Sequence, residues 1–277
     1  MSTPFVFLLD LDGTMQGDIR PQLQEYELIR RINRNILHGK KLRYRVKTLY
    51  QDMDKGLLRA GLKEALTAIK RTHPHVEFFV YTASTSDWAH FIISKIEMHC
   101  FGGVFFNRPL FTRSHCDIAE GSKNMALVFP MVESALSPKY PGRVKPENVF
   151  LIDNNLVLRR AEQRQLILCP SYDYTHVIDP VRHVPKNVLQ DLIVMIVSEV
   201  TNQRAHNKQH AIRLLYQSIN QNMRESAGMN NRYRQDRFFY IMAEVLCQSA
   251  LRTRQQLLAA VNKLRNIRLK GTHYMYS

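Results

Sequence analysis

"FVFLLDLDGTM" (residues 5–15) carries five apolar residues directly into Asp10-Leu11-Asp12-Gly13-Thr14. An apolar run without alternation is the pattern of a strand buried on both faces, as in a parallel sheet. Two acids at its end then stand at the carboxyl edge of that sheet, where open α/β folds carry their binding crevice. Asp10 and Asp12 flank Leu11, and Gly13 lets the backbone turn. Two close carboxylates need a reason to stay ionised together, and a hard divalent cation supplies one. Mg²⁺ takes oxygen ligands, usually one or two carboxylates with phosphate and water. A carboxylate can also attack phosphorus and form an acyl phosphate. On these residues alone, a solvated acidic turn is the other reading.

Further strand-like runs are "VEFFVYT" (76–82), "GVFFN" (103–107), "NVFLID" (148–153) and "LILCP" (166–170). Helical periodicity lies between them, in "KGLLRAGLKEALTAIKRT" (55–72) and "STSDWAHFIISKIEMH" (84–99). Strands alternating with helices predict an α/β domain with a central, mostly parallel sheet. Residues 15–54 form a polar, basic insertion after the first strand. "NVLQDLIVMIVSEV" (187–200) is expected to close the α/β domain, giving a domain over 1–200 and a helical extension over 201–277 with a break at 225–232.

The 277 residues carry a formal charge of +15, and residues 200–277 hold thirteen Lys/Arg against three Asp/Glu. That basic C-terminal extension points to an acidic protein or nucleic acid as partner. Four cysteines without a C-x-x-C pair predict reduced thiols and an intracellular, nuclear or cytoplasmic location. The opening residues lack a basic n-region, and no apolar run reaches about 18 residues, so neither a secretory signal nor a membrane span is expected.

Three more features follow the opening acids in order: Thr82 in "FFVYTAS", Lys123 in "EGSKNMALV", and Asp153-Asn154 in "VFLIDNN". Together they resemble the four motifs of the haloacid dehalogenase (HAD) phosphatase superfamily, which implies a HAD-like Rossmannoid fold. The resemblance implies Asp10 as nucleophile, Asp12 as general acid and base, and Thr82 and Lys123 as phosphate contacts. It implies Mg²⁺ held among Asp10, Asp12, Asp153 and Asn154. "YTAS" with "IDN" is similar to the NLI-interacting-factor-like, or Fcp/Scp, group of small carboxy-terminal-domain phosphatases, as are "RAGLKEAL" (59–66) and "GGVFFNRPLFTRSHC" (102–116). The similarity covers about residues 4–200 and implies phosphoserine or phosphothreonine in proteins as substrate. It also makes Trp88, Arg108 and Arg113 candidates for substrate binding.

Three departures bear on the substrate. Gly13 stands where the group usually has Glu, Asn155-Leu156 replaces Ser-Pro, and Arg59-Ala60-Gly61 replaces Arg-Pro-Gly. Large DNA viruses encode proteins of this group, so a viral origin, in virion or infected cell, fits a compact basic version. The contrasting expectation is a structural or interaction protein, such as a viral assembly component, that uses the HAD-like fold and the basic extension without catalysis.

Overall fold

The computed structural model describes residues 3–35, 41–117, 122–179, 181–201, 205–230, 233 and 236–265. The opening apolar run forms β1 (Phe5–Leu9), with all five residues buried. It lies between β2 (Val76–Val80) and β5 (Val149–Asp153), and β6 (Leu166–Leu168) completes a parallel sheet of order β2-β1-β5-β6. Burial on both faces explains the absence of alternation. Val6 and Leu8 join a cluster with Met125, Val128, Val132 and Leu136 of α5 (Met125–Leu136). On the opposite face, Phe7 packs between Phe78 and Phe150, with centroids 6.1 and 6.2 Å away.

The chain divides into two compact units. The first comprises Met1–Gly17, Leu58–Tyr172 and Gln235–Ser277, and the second Asp18–Leu57 and Asp173–Arg234. The first holds the sheet, α3 (Leu62–Thr72), α4 (Ser86–Phe101), the short hairpin β3 (Cys116–Asp117) and β4 (Ser122–Lys123), and α5. It also holds α8 (Phe238–Gln248), packed on α3, and α9 (Arg254–Arg265), packed on β6. The second unit is helical: α1 (Arg20–Asn35), α2 (Val46–Asp52), α6 (Lys186–Thr201) and α7 (Lys208–Asn230). Leu28 and Ile32 meet Ile193, Ile196, Val197, Ala211 and Leu215 in its core. Arg182 bridges its buried carboxylates, Glu25 at 3.0 Å and Asp52 at 3.1 Å.

These units cut across the expected boundary at residue 200. α6 packs with α7 and α1 within the second unit. Its apolar face is real, but composition does not say which surface will cover it. The segment beyond residue 235 returns to the first unit, where Phe238, Phe239, Met242, Leu246, Leu257 and Val261 are buried. Residues 202–204, 231–232, 234–235 and 266–277 of the expected extension lie outside the described residues.

Two other expectations change. The helix expected over 55–72 begins only at Leu62, because the backbone leaves helical geometry at Gly56 (φ +113°) and again at a left-handed Gly61 (φ +78°). "GVFFN" forms no strand. The backbone N–H groups of Phe105 and Phe106 donate instead to Glu97 Oε1, at 3.0 and 2.9 Å. A carboxylate presented by α4 thus replaces a ladder partner, and Phe101, Phe105 and Phe106 pack on one another.

Glu77, the second residue of β2, is buried yet ionised. It accepts from Lys70 Nζ (2.6 Å), Lys139 Nζ (2.7 Å), Tyr140 Oη (2.8 Å) and Asn107 Nδ2 (3.0 Å). Burial pushes its pKa up, but the bonds from Lys139 and Lys70 outweigh that and hold it at about 2, against an ordinary 4.5. A depressed carboxyl stabilises the fold above its unfolded pKa and loses that contribution as pH falls through the folded one. Stability should therefore drop between about pH 4.5 and 2. Glu77→Gln should flatten that acid limb and cost roughly 2 kcal/mol at pH 7, allowing for the partly exposed lysines. Urea titration of both proteins at several pH values checks this.

Candidate functional site

The parallel order places the carboxyl ends of β2, β1 and β5 side by side. Asp10 directly follows β1, Asp153 is the last residue of β5, and Thr82 follows β2 by two residues. The Asp10 amide still donates to Ile152 O at 2.9 Å, so its carboxylate is aimed from the end of a fixed ladder. Lys123 reaches this edge from β4, whose backbone is tied to the chain after β5 by Lys123 N to Val157 O at 2.8 Å. Its Nζ donates to Asp10 Oδ1 at 2.5 Å and Asp153 Oδ2 at 2.7 Å, and lies 5.3 Å from the Tyr81 ring centroid.

Asp10, Lys123 and Asp153 are all buried, at 6%, 3% and 1% exposure. One ammonium between two carboxylates leaves an excess negative charge. Burial accordingly pushes the Asp10 carboxyl up to about 7, with Lys123 pulling it down and Asp153 pushing it further up. For Lys123, burial works against the charge, but Asp10 and Asp153 outweigh it and raise the pKa.

This donor set fits a hard cation. Two buried oxygen ligands carry one negative charge beyond what Lys123 balances, and Mg²⁺ needs few protein ligands because it keeps water and takes substrate oxygens. Among the described residues, no group of three or more His, Cys, Asp or Glu side chains gathers as a larger metal cage.

Asp12 is held separately, and half-buried. Gln16 Nε2 donates to Oδ1 and Ser84 Oγ to Oδ2, both at 2.9 Å. Ser84 N in turn donates to Thr82 Oγ1 at 3.1 Å, which links Asp12 to the motif at the end of β2. Thr82 is 1% exposed, and its amide donates to Phe111 O at 2.9 Å.

Asn154 has a different setting from Asp153. Its Oδ1 accepts from Thr14 Oγ1 at 3.3 Å, and its Nδ2 donates to Ser171 Oγ at 3.2 Å. The amide thus fastens the turn after Asp12 to the loop after β6. This arrangement also explains Gly13. Its φ is +77°, and a Cβ there would lie 2.6 Å from Asn154 Nδ2. A Glu at position 13 would displace the amide that anchors Thr14.

Of the substrate-binding candidates, only Arg113 is exposed beside these motifs. Its Nε donates to Ala83 O at 2.8 Å, and its amide donates to Ser84 O at 3.0 Å. Trp88 is 1% exposed and stacks on Phe91 with centroids 5.6 Å apart, so it packs α4 and offers no surface to a substrate. Arg108 pairs with Glu97 at 2.6 Å and donates to Phe106 O at 2.8 Å, which makes it a brace for the 102–109 loop. Ser84 and Gln16, which hold Asp12, went unread in the sequence. Ser84 was visible in "YTAS", whereas nothing near Gln16 marks it.

None of the curated proteins matches the chain. A solved structure of the fission yeast RNA polymerase II CTD phosphatase Fcp1, bound to beryllium fluoride, is similar at 14% identity with a TM-score of 0.44. That match takes in 88% of this chain and 62% of the other, so this chain spans less than two thirds of its length. Residues 5–203 match the model of the NLI interacting factor-like phosphatases, and the chain belongs to that family.

Proposed function

We propose that the protein is a Mg²⁺-dependent phosphatase that works through an aspartyl phosphate on Asp10 and acts on phosphoserine or phosphothreonine in proteins. The observation that carries this reading is Lys123 held between Asp10 and Asp153 at the carboxyl ends of adjacent parallel strands. Membership of a phosphatase family supports it.

Asp10 attacks phosphorus, and the bond from phosphorus to the seryl or threonyl oxygen breaks. Asp12 gives its proton to that leaving oxygen. Asp12 then takes a proton from the water that attacks phosphorus, the bond to Asp10 breaks, and inorganic phosphate leaves. General acid–base help of this kind is worth about 10²–10⁴ in rate. Ser84 suits both steps, because its hydroxyl can donate to the Asp12 carboxylate or rotate and accept from the acid. Lys123 offsets the repulsion between Asp10 and an incoming phosphate, and Thr82 offers a hydroxyl to a phosphate oxygen. Mg²⁺, held by Asp10 and Asp153 with help from the Asp12 segment, would neutralise charge on the transferring group.

Phosphate release from p-nitrophenyl phosphate and from phosphoserine peptides, with Mg²⁺ and with chelator, tests the proposal. Release that requires Mg²⁺ is expected, and wild-type protein inert toward all of these would overturn it. Arg113, with its guanidinium exposed beside Ala83, gives a substrate test. Arg113→Ala should raise KM for a phosphopeptide about 3- to 10-fold with kcat within about twofold, the pattern of lost ground-state binding.

The interaction-protein reading rests on the basic residues of 201–277; within that stretch Phe238, Phe239, Met242, Leu246, Leu257 and Val261 are buried in the first unit.

A further inference from the structure

Arg59 is 1% exposed, and each polar edge of its guanidinium is engaged. Nε and Nη2 donate to Asp236 Oδ1 at 3.0 Å and Oδ2 at 2.8 Å, the bidentate fork that fixes a guanidinium in both position and plane. The ring centroids of Phe238 and Tyr172 lie 4.8 and 5.3 Å from its Cζ. Nη1 donates to the backbone carbonyl of Thr14 at 3.2 Å and meets Cys169 Sγ at 3.7 Å. Thr14 ends the D-x-D-G-T turn. The same turn is held by Arg59 N to Met15 O at 3.0 Å and Tyr172 N to Gly13 O at 2.9 Å.

Asp236 lies beyond residue 203, where the family match ends. It also accepts from Phe238 N at 3.1 Å, which fixes the start of α8. The segment that carries it is anchored to the first unit at three further places: His73 Nε2 to Leu246 O at 2.9 Å, His75 Nε2 to Leu251 O at 2.7 Å, and Arg265 Nε to Leu166 O at 2.9 Å. A carboxylate from the C-terminal segment therefore sets the orientation of an arginine that holds the turn carrying Asp10 and Asp12.

We propose that Asp236 is a positioning residue, acting through Arg59 to fix the Asp10–Thr14 turn in its working geometry. The functional half of this inference rests on the reading of Asp10 and Asp12 as the catalytic pair.

Removing both charges separates positioning from stability. The double variant Arg59→Met/Asp236→Leu fills the volume without an unpaired charge, and such exchanges usually preserve the fold. Hydrogen exchange of the Gly13, Met15 and Gln16 amides, which bond within the turn, reports its order without needing activity. With a melting temperature near that of wild type, the double variant should exchange these amides about tenfold faster. Its kcat for p-nitrophenyl phosphate should fall about 10- to 100-fold with KM within about twofold, the cost of a slightly misplaced nucleophile. If the double variant does not fold, Asp236→Asn held well below its melting temperature gives the same readouts. Wild-type exchange in the turn of a folded variant would overturn the inference, whatever the activity. Faster exchange in a protein whose wild type is inert would support the positioning role and overturn the phosphatase reading instead.

Discussion

Asp10→Asn should abolish phosphate release and at the same time make the metal-free protein more stable above neutral pH. The first half follows from chemistry, because an amide oxygen is not a nucleophile toward phosphorus under these conditions. A loss of at least about 10³-fold is expected, since every other contribution acts on a step that no longer occurs. The second half follows from charge. The Asp10 carboxyl is pushed up to about 7 from an ordinary 3.8, so the folded protein binds a proton more tightly than the unfolded chain. Stability of the metal-free wild type should then fall as pH rises from about 4 to about 7, with the full penalty above that range. The penalty is on the order of 4 kcal/mol. Asn keeps an acceptor for Lys123 and carries no charge, so the variant should lack this slope. Melting in chelator at pH 5 and pH 8 checks both proteins. Adding Mg²⁺ at pH 8 should raise the melting temperature of wild type and raise that of Asp10→Asn much less, because ligand that binds the folded state stabilises it by mass action.

Lys123→Met should have the opposite effect on stability. The substitution leaves Asp10 and Asp153 buried against each other without the ammonium that both now contact. Removing one partner of a buried pair costs about 3–5 kcal/mol. Because Asp10 protonates readily, the cost should be smaller at pH 5 than at pH 8, where both acids must be charged. Urea unfolding at the two pH values measures the difference. Activity should fall at least about 10²-fold even where the variant is folded, as it does when a preorganised positive group is removed from a site of developing negative charge. Equal stability of variant and wild type at pH 8 would show that Lys123 does not balance these acids.

The parts of this site that share a local pattern were legible in the sequence. β1 and β5 are apolar at almost every position because both faces are covered, and that pattern alone places the acids at their ends on a sheet edge. Thr82 and Lys123 are legible only through the resemblance to the HAD motifs. Apolar composition misled where it does not encode hydrogen-bond partners. "GVFFN" reads like β1, but its N–H groups go to Glu97. α6 reads like the closing helix of the α/β domain, but its apolar residues join α7 and α1 in the second unit. The Arg59–Asp236 pair was out of reach for another reason. Its members lie 177 positions apart, and Asp236 sits in the basic stretch "RYRQDRFF", where an acid looks like ordinary charge balance. Gly13 looked like a departure from the family pattern, and its reason lay in a side chain 141 residues away, Asn154.

The central claim is a covalent phosphate on Asp10. Acid-quenching the wild-type protein during turnover with Mg²⁺ and p-nitrophenyl phosphate, then reducing with borohydride, converts an aspartyl phosphate to homoserine. Peptide mass spectrometry should find homoserine at position 10, only when substrate is present and never in Asp10→Asn. Steady turnover with unmodified Asp10, or homoserine at Asp12 or Asp153 instead, would contradict the account.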